Sequence, residues 1–433
     1  MSKENQISRR DFVQKSALTA AAVSTATGLA PGIAVAGAKE RINVGVIGCG
    51  GIATHHIKML GALKDEDNVA ITAVCDCYET RMNQYADKVK ATFGEMPKKY
   101  KTMEELIADP SLNKILIATP EHQHFNNAMA TLNAGKKNIY LEKPMCKTAT
   151  ESAKLMERAL KEKAIIQIGV HTASDDVYLA AREAMRKGTL GKILQAQIDY
   201  CRHYYTRGPW RSEATSNDPK PADLDWNTWQ GPAWRHPWDA RRYFNWRCYW
   251  DYSGGIATDL FIHRITRLIK ALDLHEPQYG IGIGDIYLWN DGRDIPDNYQ
   301  MALKYPDGPM IYILGTMSNK FGLMHCIRGD RATLVFESPG FKIYSEANDS
   351  EGKKGYREVI QTYERKIKGG DDAYYQENHR NHHAAIRAGD PSILHYPVTL
   401  GHYAVAAVNV ANEGYKIHKY MTWSPERKKI VEA

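Results

Sequence analysis

Two kinds of hydrophobic pattern alternate along the first 170 residues of the chain. Short β-branched runs, typical of buried strands, lie at 42–47, 69–75, 115–118, 138–141 and 165–170. Between them, apolar residues recur every three or four positions near 55–63, 79–93, 122–134 and 150–162, as in helices packed on a sheet. This alternation predicts a doubly wound parallel sheet over residues 39–170.

The rest of the chain follows a different pattern, which predicts a second α/β domain over 171–433. A helix near 178–187 precedes a strand at 193–200, and another helix is predicted at about 258–272. Alternating positions around 279–290, 298–305, 309–317 and 322–336 indicate several antiparallel strands of one open sheet. A helical segment at about 398–419 follows. The predicted fold class is therefore α/β throughout.

One segment, residues 201–250, fits neither period and is interpreted as a long loop with its own packing. It holds seven of the nine tryptophans, mixed with Arg, Tyr, His, Pro and Asp. Aromatic rings beside polar groups suit the apolar faces and hydroxyl edges of sugars. The segment could equally pack on itself or on a neighbouring subunit, and both alternatives stay open.

We interpret the first 38 residues as an export signal that is not part of the fold. Ser8-Arg9-Arg10-Asp11-Phe12 is a twin-arginine motif, and a mildly apolar Ala/Thr-rich stretch with small residues near its end follows it. That stretch is too weakly apolar for a membrane span. We therefore expect Tat export to the periplasm or cell envelope, with a disordered basic tail as the alternative. Because this route carries folded proteins, a tightly bound cofactor could be exported with the chain.

Composition excludes several classes of function. The formal charge of +7 falls to about +5 without residues 1–38, and no long basic run is present, so nucleic-acid binding has no support. The seven cysteines show no paired or metal-binding spacing. We expect neither a disulfide framework nor a metal site.

A glycine-rich turn after the first strand indicates nucleotide binding. Gly48-x-Gly50-x-x-Ala53 lies between a strand and a helix, the layout in which a pyrophosphate meets backbone N–H groups at a helix N-terminus. Asp76 ends the second strand, where a carboxylate accepts the hydrogen bonds of an adenosine ribose. Because that carboxylate would repel a 2′-phosphate, NAD is favoured over NADP.

Three later motifs carry candidate chemistry. Thr119-Pro120, with His124 nearby, follows the third predicted strand and should border the nucleotide crevice. Glu142-Lys143-Pro144 follows the fourth, and a lysine there can hold a substrate hydroxyl and favour a developing alkoxide. Gly254-Gly255-x-x-x-Asp259-x-x-x-His263 places an acid and a histidine one helical turn apart, so the carboxylate could orient the histidine as a base.

The order of these motifs along the chain, together with Arg81 after Asp76, resembles that of the Gfo/Idh/MocA family. This family contains the relatives of glucose–fructose oxidoreductase and inositol dehydrogenase. The resemblance implies a Rossmann domain, a second domain with a large, mostly antiparallel sheet, and a homodimer or homotetramer. It also implies NAD-dependent oxidation or reduction of sugars, inositols or related polyols. Thr266 stands where many members carry a second acid, and His171 stands where many carry Asn, so substrate identity stays open.

The predicted site residues fall into three groups. The catalytic residues are Lys143, Asp259 and His263. The cofactor contacts are Gly48, Gly50, Gly51, Ile52, Ala53, Asp76, Arg81, Thr119, Pro120, His124, Glu142, Lys143 and His171. The substrate contacts are Lys143, His171, Trp246, Tyr249 and His263.

Three functions are compatible with these residues. The favoured one is an oxidoreductase that transfers hydride between tightly bound NAD and a hydroxyl or keto carbon of a sugar, glycoside or polyol. The second is a glycosidase that uses NAD for transient oxidation and elimination, as the similar α-N-acetylgalactosaminidases do. Those enzymes carry a Tyr-Pro-Thr-His run near the catalytic helix, where this chain has Asp259-Leu260-Phe261-Ile262-His263. The third is a carbohydrate-binding protein without turnover.

Overall fold

The computed structural model describes residues 39–205, 208–306, 308–346 and 358–433. The predicted export signal lies outside this part of the chain. Among the described residues, no helix combines the length and the apolar character that a membrane crossing requires.

A six-stranded parallel sheet forms the first half of the structure. Its order is β3-β2-β1-β4-β5-β6, which confirms the predicted doubly wound sheet. The strands are β1 Ile42–Ile47, β2 Val69–Cys75, β3 Lys98–Tyr100, β4 Lys114–Ile117, β5 Asn138–Leu141 and β6 Ile165–Ile168. The helices are α1 Gly51–Leu63, α2 Glu79–Phe93, α3 Met103–Ala108, α4 His124–Asn133 and α5 Ala149–Glu162. The strand order reverses between β1 and β4, which opens a crevice at the carboxyl ends of these strands.

A ten-stranded sheet forms the second half, in the order β14-β13-β12-β11-β7-β10-β9-β8-β15-β16. Of its pairs, only β7 with β10 is parallel, so the sheet is mostly antiparallel, as predicted. Its strands are β7 Ile193–Cys201, β8 Tyr279–Asp285, β9 Asn298–Lys304, β10 Met310–Thr316, β11 Cys326–Gly329, β12 Ala332–Glu337, β13 Gly340–Ser345, β14 Val359–Glu364, β15 Met421–Ser424 and β16 Lys429–Glu432. The helices are α6 Asp176–Arg186, α7 Trp226–Gln230, α8 Ala240–Phe244, α9 Ile262–Leu272, α10 Gly370–Ala388 and α11 Val398–Ile417.

Several elements were not predicted because their sequences lack a clear period. β14 is a largely exposed edge strand, and β3 has only three residues. The sequence of α10 is polar, yet the helix packs against α1 and β6 of the first sheet and buries three histidines. The single predicted strand at 322–336 is two strands, β11 and β12, paired antiparallel. The domain boundary near residue 170 stays a prediction.

The aromatic segment contains only short helices, as its missing period indicated. Its rings form a cluster of their own, in which two tryptophans stack 4.8 Å apart with their planes 14° from parallel. The buried members are Leu224, Trp226, Trp229, Tyr243, Cys248, Tyr249 and Tyr252. Packing of the segment on itself, one of the two alternatives for it, is therefore observed.

Helix α11 approaches β8 closely through glycines that alternate along the strand. A Cβ atom on Gly282 would lie 2.1 Å from the Tyr299 hydroxyl and 2.6 Å from the Ala411 carbonyl oxygen. Real Cβ atoms do not tolerate such contacts, and the second is with backbone that cannot rotate away. The glycine therefore fixes the distance between this helix and the sheet.

We predict that Gly282→Ala destabilises the protein by about 1–3 kcal/mol, the usual cost of overpacking. Urea unfolding without added nucleotide measures this change. Gly51→Ala is the matched control, because a Cβ at Gly51 would have no neighbour within 4 Å and alanine suits a helix. Equal stability of the two variants would contradict the close approach of α11 and β8.

Candidate active site

The glycine-rich turn forms an open cradle between β1 and α1. Gly48 has φ +89°, and a Cβ there would lie 2.9 Å from the Thr119 nitrogen and 3.0 Å from the Ala118 carbonyl. By contrast, Cβ atoms on Gly50 and Gly51 would meet nothing within 4 Å. Gly50 caps α1 without a side chain, and the first turn of the helix holds no acidic residue. Free N–H groups and the positive end of the helix dipole therefore face open space, which suits a pyrophosphate.

Asp76 is fixed at the edge of this cradle. Its carboxylate accepts hydrogen bonds from the Cys49 N–H at 2.7 Å and the Tyr78 N–H at 2.9 Å. Burial raises the pKa of the Asp76 carboxyl, while these N–H groups and the charge of Arg81 oppose the rise. Arg81 itself lies 5.5 Å from the ring centre of Tyr78 and 5.3 Å from that of Tyr243. The carboxylate is thus held in the place predicted for a ribose contact.

The cleft beside the cradle has a volume of about 890 Å³, within the range of small-molecule sites. Nine of the predicted residues line it: Gly48, Gly50, Gly51, Ile52, Asp76, Arg81, Thr119, Pro120 and Trp246. An open phosphate cradle, a fixed carboxylate and this volume together fit a dinucleotide. Among the described residues, no group of three or more His, Cys, Asp or Glu side chains is arranged to hold a metal ion.

Two predicted cofactor contacts lie behind the cleft. Ala53 is fully buried in the packing of α1. His124 is buried at the start of α4, where its Nδ1 lies 2.6 Å from the Pro144 carbonyl oxygen and its Nε2 lies 2.8 Å from that of Thr119. Because both ring nitrogens are engaged by backbone, His124 joins the two loops that border the cleft rather than facing into it.

Lys143 and Asp259 form a buried ion pair that joins the two halves of the structure. The Lys143 ammonium donates to the Asp259 carbonyl oxygen at 2.7 Å and to its Oδ1 at 2.9 Å. Arg247, a residue that the sequence analysis missed, donates from Nε to the same Oδ1 at 2.9 Å. Burial would raise the pKa of the Asp259 carboxyl, but the Arg247 and Lys143 cations hold it well below its ordinary value. Asp259 is therefore ionised and fixes the lysine in place.

A π-helical turn, Ala257–Phe261, brings Asp259 to this position at the start of α9. It is anchored by Glu121, a buried carboxylate also missed from the sequence, which accepts from the Gly254 N–H and from the Thr258 hydroxyl. Burial raises the pKa of Glu121. Asp259 was expected to orient His263, but its carboxylate binds Lys143 and Arg247, and among the described residues no hydrogen bond joins it to His263. The π turn departs from regular helical spacing, and both cations already engage the carboxylate.

His263 and His171 lie side by side near this ion pair, with ring centres 5.2 Å apart. His171 stacks on Tyr375 at 4.2 Å, and its Nε2 lies 3.5 Å from a carboxylate oxygen of Asp371. The Nδ1 atoms of both histidines have no hydrogen-bond partner among the described residues. Burial, with the charges of Lys143 and His171, lowers the pKa of His263 well below its ordinary value. His263 is therefore neutral near pH 7 and able to accept a proton.

Glu142, predicted to contact the cofactor, is turned into the protein. One carboxylate oxygen accepts from the Lys143 backbone N–H at 3.1 Å, and the other lies 2.9 Å from His56 Nε2. Burial would raise the pKa of Glu142, but the hydrogen bond from His56 and the charge of Lys143 hold it below its ordinary value. Its carboxylate supports the turn from behind.

The two aromatic residues predicted to contact substrate differ in position. Trp246 lines the cleft, and the Arg247 guanidinium lies 4.1 Å from its ring centre. Tyr249 is 4% exposed within the ring cluster and is covered by Arg242 at 4.7 Å. The structure therefore gives Trp246 access to a ligand and buries Tyr249.

Comparison with known proteins gives two family-model matches. Residues 42–170 match an oxidoreductase-family model of an NAD-binding Rossmann fold, and residues 178–326 match the C-terminal alpha/beta domain of the same family, Gfo/Idh/MocA.

Curated relatives include D-xylose 1-dehydrogenase (NADP(+)) of Hypocrea jecorina, which is 27% identical over 54% of this chain and 54% of its own length. Myo-inositol 2-dehydrogenase of Thermotoga maritima is 27% identical over 47% of this chain and 54% of its own length. The chain thus spans about half the length of these relatives.

Similar solved structures cover more of the chain. A levoglucosan dehydrogenase in complex with NADH and levoglucosan has a TM-score of 0.63 at 16% identity, covering 88% of this chain and 99% of the other. The WlbA dehydrogenase from Bordetella pertussis, in complex with NADH and UDP-GlcNAcA, has a TM-score of 0.63 at 14% identity, covering 89% and 99%. At these identities the likeness establishes the fold.

Asp259→Asn should lower the free energy of unfolding at pH 7 by about 3 kcal/mol, because it leaves the largely buried Lys143 ammonium and the partly exposed Arg247 guanidinium without their counter-ion. The folded-state pKa of Asp259 lies below its unfolded value of 3.8, so this stability is complete above that value and lost as pH falls. The difference from wild type should stay constant from pH 8 to about 5 and shrink below about 4.

Urea unfolding across this pH range measures the effect. Asp251→Asn is the matched control, since that carboxylate pairs with His236 and Arg242 but is 30% exposed. It should cost about 1 kcal/mol or less. A loss at Asp259 as small as that of the control would show that the ion pair does not hold the two halves together.

Proposed function

The chain belongs to the Gfo/Idh/MocA oxidoreductase family, and on that premise we propose that it is an NAD-dependent dehydrogenase acting on a hydroxyl or keto carbon of a sugar, glycoside or polyol. The observation that carries this proposal is the cluster of a fixed lysine and a neutral histidine, which Asp259 joins to Arg247, a residue that lines the dinucleotide cleft. The named dehydrogenases among its relatives act on compounds of this class.

Lys143 is arranged to hold the reacting oxygen. Of the three N–H donors of its ammonium, two are taken by Asp259, which leaves the third for a ligand. A cation at this position stabilises the negative charge that develops on the oxygen as the carbon loses hydride.

His263 is arranged to take the hydroxyl proton. Its ring is neutral, and the residue is partly exposed, which suits contact with a substrate hydroxyl. When bound, NAD supplies the acceptor for the hydride and its electron pair. The hydroxyl O–H bond breaks toward the imidazole, which balances the loss of the C–H bond.

The cradle and Asp76 support NAD as the cofactor. The uncapped N-terminus of α1 suits the pyrophosphate, and the Asp76 carboxylate suits two ribose hydroxyls. A 2′-phosphate placed there would meet the same carboxylate and be repelled.

Export and self-association are part of the same proposal. The twin-arginine motif at Arg9 and Arg10 supports export to the periplasm or cell envelope with the cofactor bound. Large apolar side chains exposed on the ten-stranded sheet and its loops support assembly with further copies of the chain. They include Ile283 at 67%, Met310 at 57% and Phe321 at 88% exposure.

The protein should bind NAD more tightly than NADP, as measured by calorimetric titration of the cofactor-free protein. Asp76→Ala should weaken NAD binding by about 1–3 kcal/mol, the scale of a lost charge-assisted hydrogen bond. Asp87→Ala, at an exposed position on α2, should leave affinity unchanged. Equal or tighter binding of NADP by the wild type would refute the assignment of Asp76.

His263→Ala and Lys143→Ala should each lower kcat by about 10²–10⁴-fold, the usual contribution of a positioned acid or base, with NAD still bound. Since the pKa of His263 is lowered, its base form persists as pH falls, and kcat should not decline from its protonation between pH 8 and 6. The assay follows NADH absorbance with a panel of levoglucosan, myo-inositol and D-xylose.

His275→Ala and Lys161→Ala, both at exposed positions, are the matched controls and should retain full activity. Near-normal turnover by either active-site variant would refute the assignment of these roles. Release of an aglycone from a glycoside panel without net NADH formation would indicate the elimination mechanism instead.

A further inference from the structure

A chain of six buried ionisable side chains runs inward from the active site. Glu142 Oε1 lies 2.9 Å from His56 Nε2, and His56 Nδ1 lies 2.9 Å from His379 Nε2. His379 Nδ1 lies 3.2 Å from the Lys114 ammonium, which lies 2.9 Å from His383 Nε2. His383 Nδ1 lies 2.6 Å from Asp67 Oδ2. We call this set of six residues the histidine chain.

The histidine chain runs along the parallel sheet, from the carboxyl ends of its strands to their amino ends. Glu142 directly follows β5, at the carboxyl edge that borders the cleft, whereas Lys114 is the first residue of β4 and Asp67 precedes β2. The four residues of β4 span about 13 Å. His56 comes from α1, and His379 and His383 come from α10, so the histidine chain lies between these helices and the sheet.

While Lys114 is charged, one arrangement of hydrogens satisfies every nitrogen in the histidine chain. A charged Lys114 has only donors, so it gives one hydrogen each to His379 Nδ1 and His383 Nε2. His379 must then donate from Nε2 to His56, and His56 must donate from Nε2 to Glu142. On the other side, His383 donates from Nδ1 to Asp67. All three histidines are neutral in this arrangement, which agrees with the lowered pKa values of His379 and His383.

Such a set of charges is costly to bury. Replacing buried ion pairs by apolar side chains of similar volume is often neutral or even stabilising, so stability alone does not account for the histidine chain. Lys114, His56, His379 and His383 all have 0% exposure. Burial lowers the pKa of Lys114 to about 7, so it can gain and lose a proton near neutral pH. Perturbed pKa values cluster at functional sites, and the histidine chain connects Lys114 to Glu142, directly before the active-site lysine.

The charged and titratable groups that face the histidine chain come from every element packed on it. The groups that face Lys114 are Asp67, Arg387, His379, His383 and the ring of Tyr140. Those that face His379 are Lys114, His56, His382 and His383, and those that face His383 are Lys114, Asp67 and Arg387. His56 is faced by His55, His379 and Glu142, and Glu142 is faced by His56, Lys143, His124, Tyr140 and Tyr375.

We propose that Lys114 is an internal proton reservoir behind the active-site lysine, which exchanges one proton with Glu142 through His379 and His56 and so changes the charge behind Lys143. Its role in turnover rests on the proposed dehydrogenase function, because the charge behind Lys143 affects how strongly that lysine stabilises the reacting oxygen.

The exchange balances without any other reactant. The Lys114 N–H bond breaks as a bond to His379 Nδ1 forms, and the His379 Nε2–H bond breaks as a bond to His56 Nδ1 forms. Finally the His56 Nε2–H bond breaks as Glu142 Oε1 gains the proton. Lys114 and Glu142 are both neutral afterwards, no electrons have moved, and the charge directly behind Lys143 has changed by one.

NMR of the ¹⁵N-histidine-labelled protein tests the reservoir without any assay of activity. At pH 5.5, His56 and His379 should show the Nε2–H tautomer and His383 the Nδ1–H tautomer, all neutral. As pH rises through about 7, the signals of His56, His379 and His383 should shift with one shared midpoint. A charged histidine, an opposite tautomer or separate midpoints would overturn the proposal.

Lys114→Met should abolish the shared midpoint. Lys270→Met is the matched control, since Lys270 is also buried but donates to the carbonyl groups of Ala173 and His395. It should leave the histidine titration unchanged. A shared midpoint that survives in Lys114→Met would also overturn the proposal, and the wild-type tautomers decide the question if that variant does not fold.

Turnover of the levoglucosan, myo-inositol and D-xylose panel gives the second readout. Lys114→Met should lower kcat about tenfold at pH 6 and remove the break in its pH profile near 7, with KM unchanged. An unchanged profile would show that the reservoir does not serve the reaction. If the wild type oxidises no member of the panel, the proposed function fails on its own, while the histidine titration still decides whether the reservoir exists.

Discussion

The ion pair between Lys143 and Asp259 is the interaction on which the site depends. The lysine follows a strand of the parallel sheet, and the aspartate lies in the π turn that precedes α9, so one pair joins the two halves of the molecule. Arg247 adds a second cation from the aromatic segment. A buried ion pair is stabilising only when its geometry and hydrogen bonds are good. The pair therefore fixes the relative positions of the turn after β5, the π turn and the aromatic segment.

This constraint separates the groups around Lys143 into two sets. On one side, His263 is neutral and its side chain is partly exposed, so it is available to a ligand. On the other side, Glu142 faces inward to His56 and carries no contact into the cleft. The lysine therefore lies between a group that can take a proton from substrate and a buried set that can store one.

Local sequence was enough to predict the parts of the site that local conformation determines. The positive φ of Gly48 and the place of Asp76 after β2 follow from a strand, a turn and a helix adjacent in the chain. The pairing of Arg247 and Glu121 with the α9 turn joins residues that the fold, not the local pattern, brings together. The histidines of α10 were missed because a polar helix gives no sign of being buried, and Glu142 was misplaced because its partner His56 lies 86 residues earlier.

The central claim is that this cleft moves hydride between a hydroxyl-bearing carbon and NAD, and isotope transfer tests it most directly. The protein is incubated with NAD and a panel of sugars and polyols deuterated at their CH–OH carbons, and the mass of the recovered cofactor is measured by mass spectrometry. The recovered NADH should be one mass unit heavier than unlabelled NADH, and the corresponding keto product should form. Cofactor that binds but carries no deuterium, with every panel member unchanged, would contradict the claim.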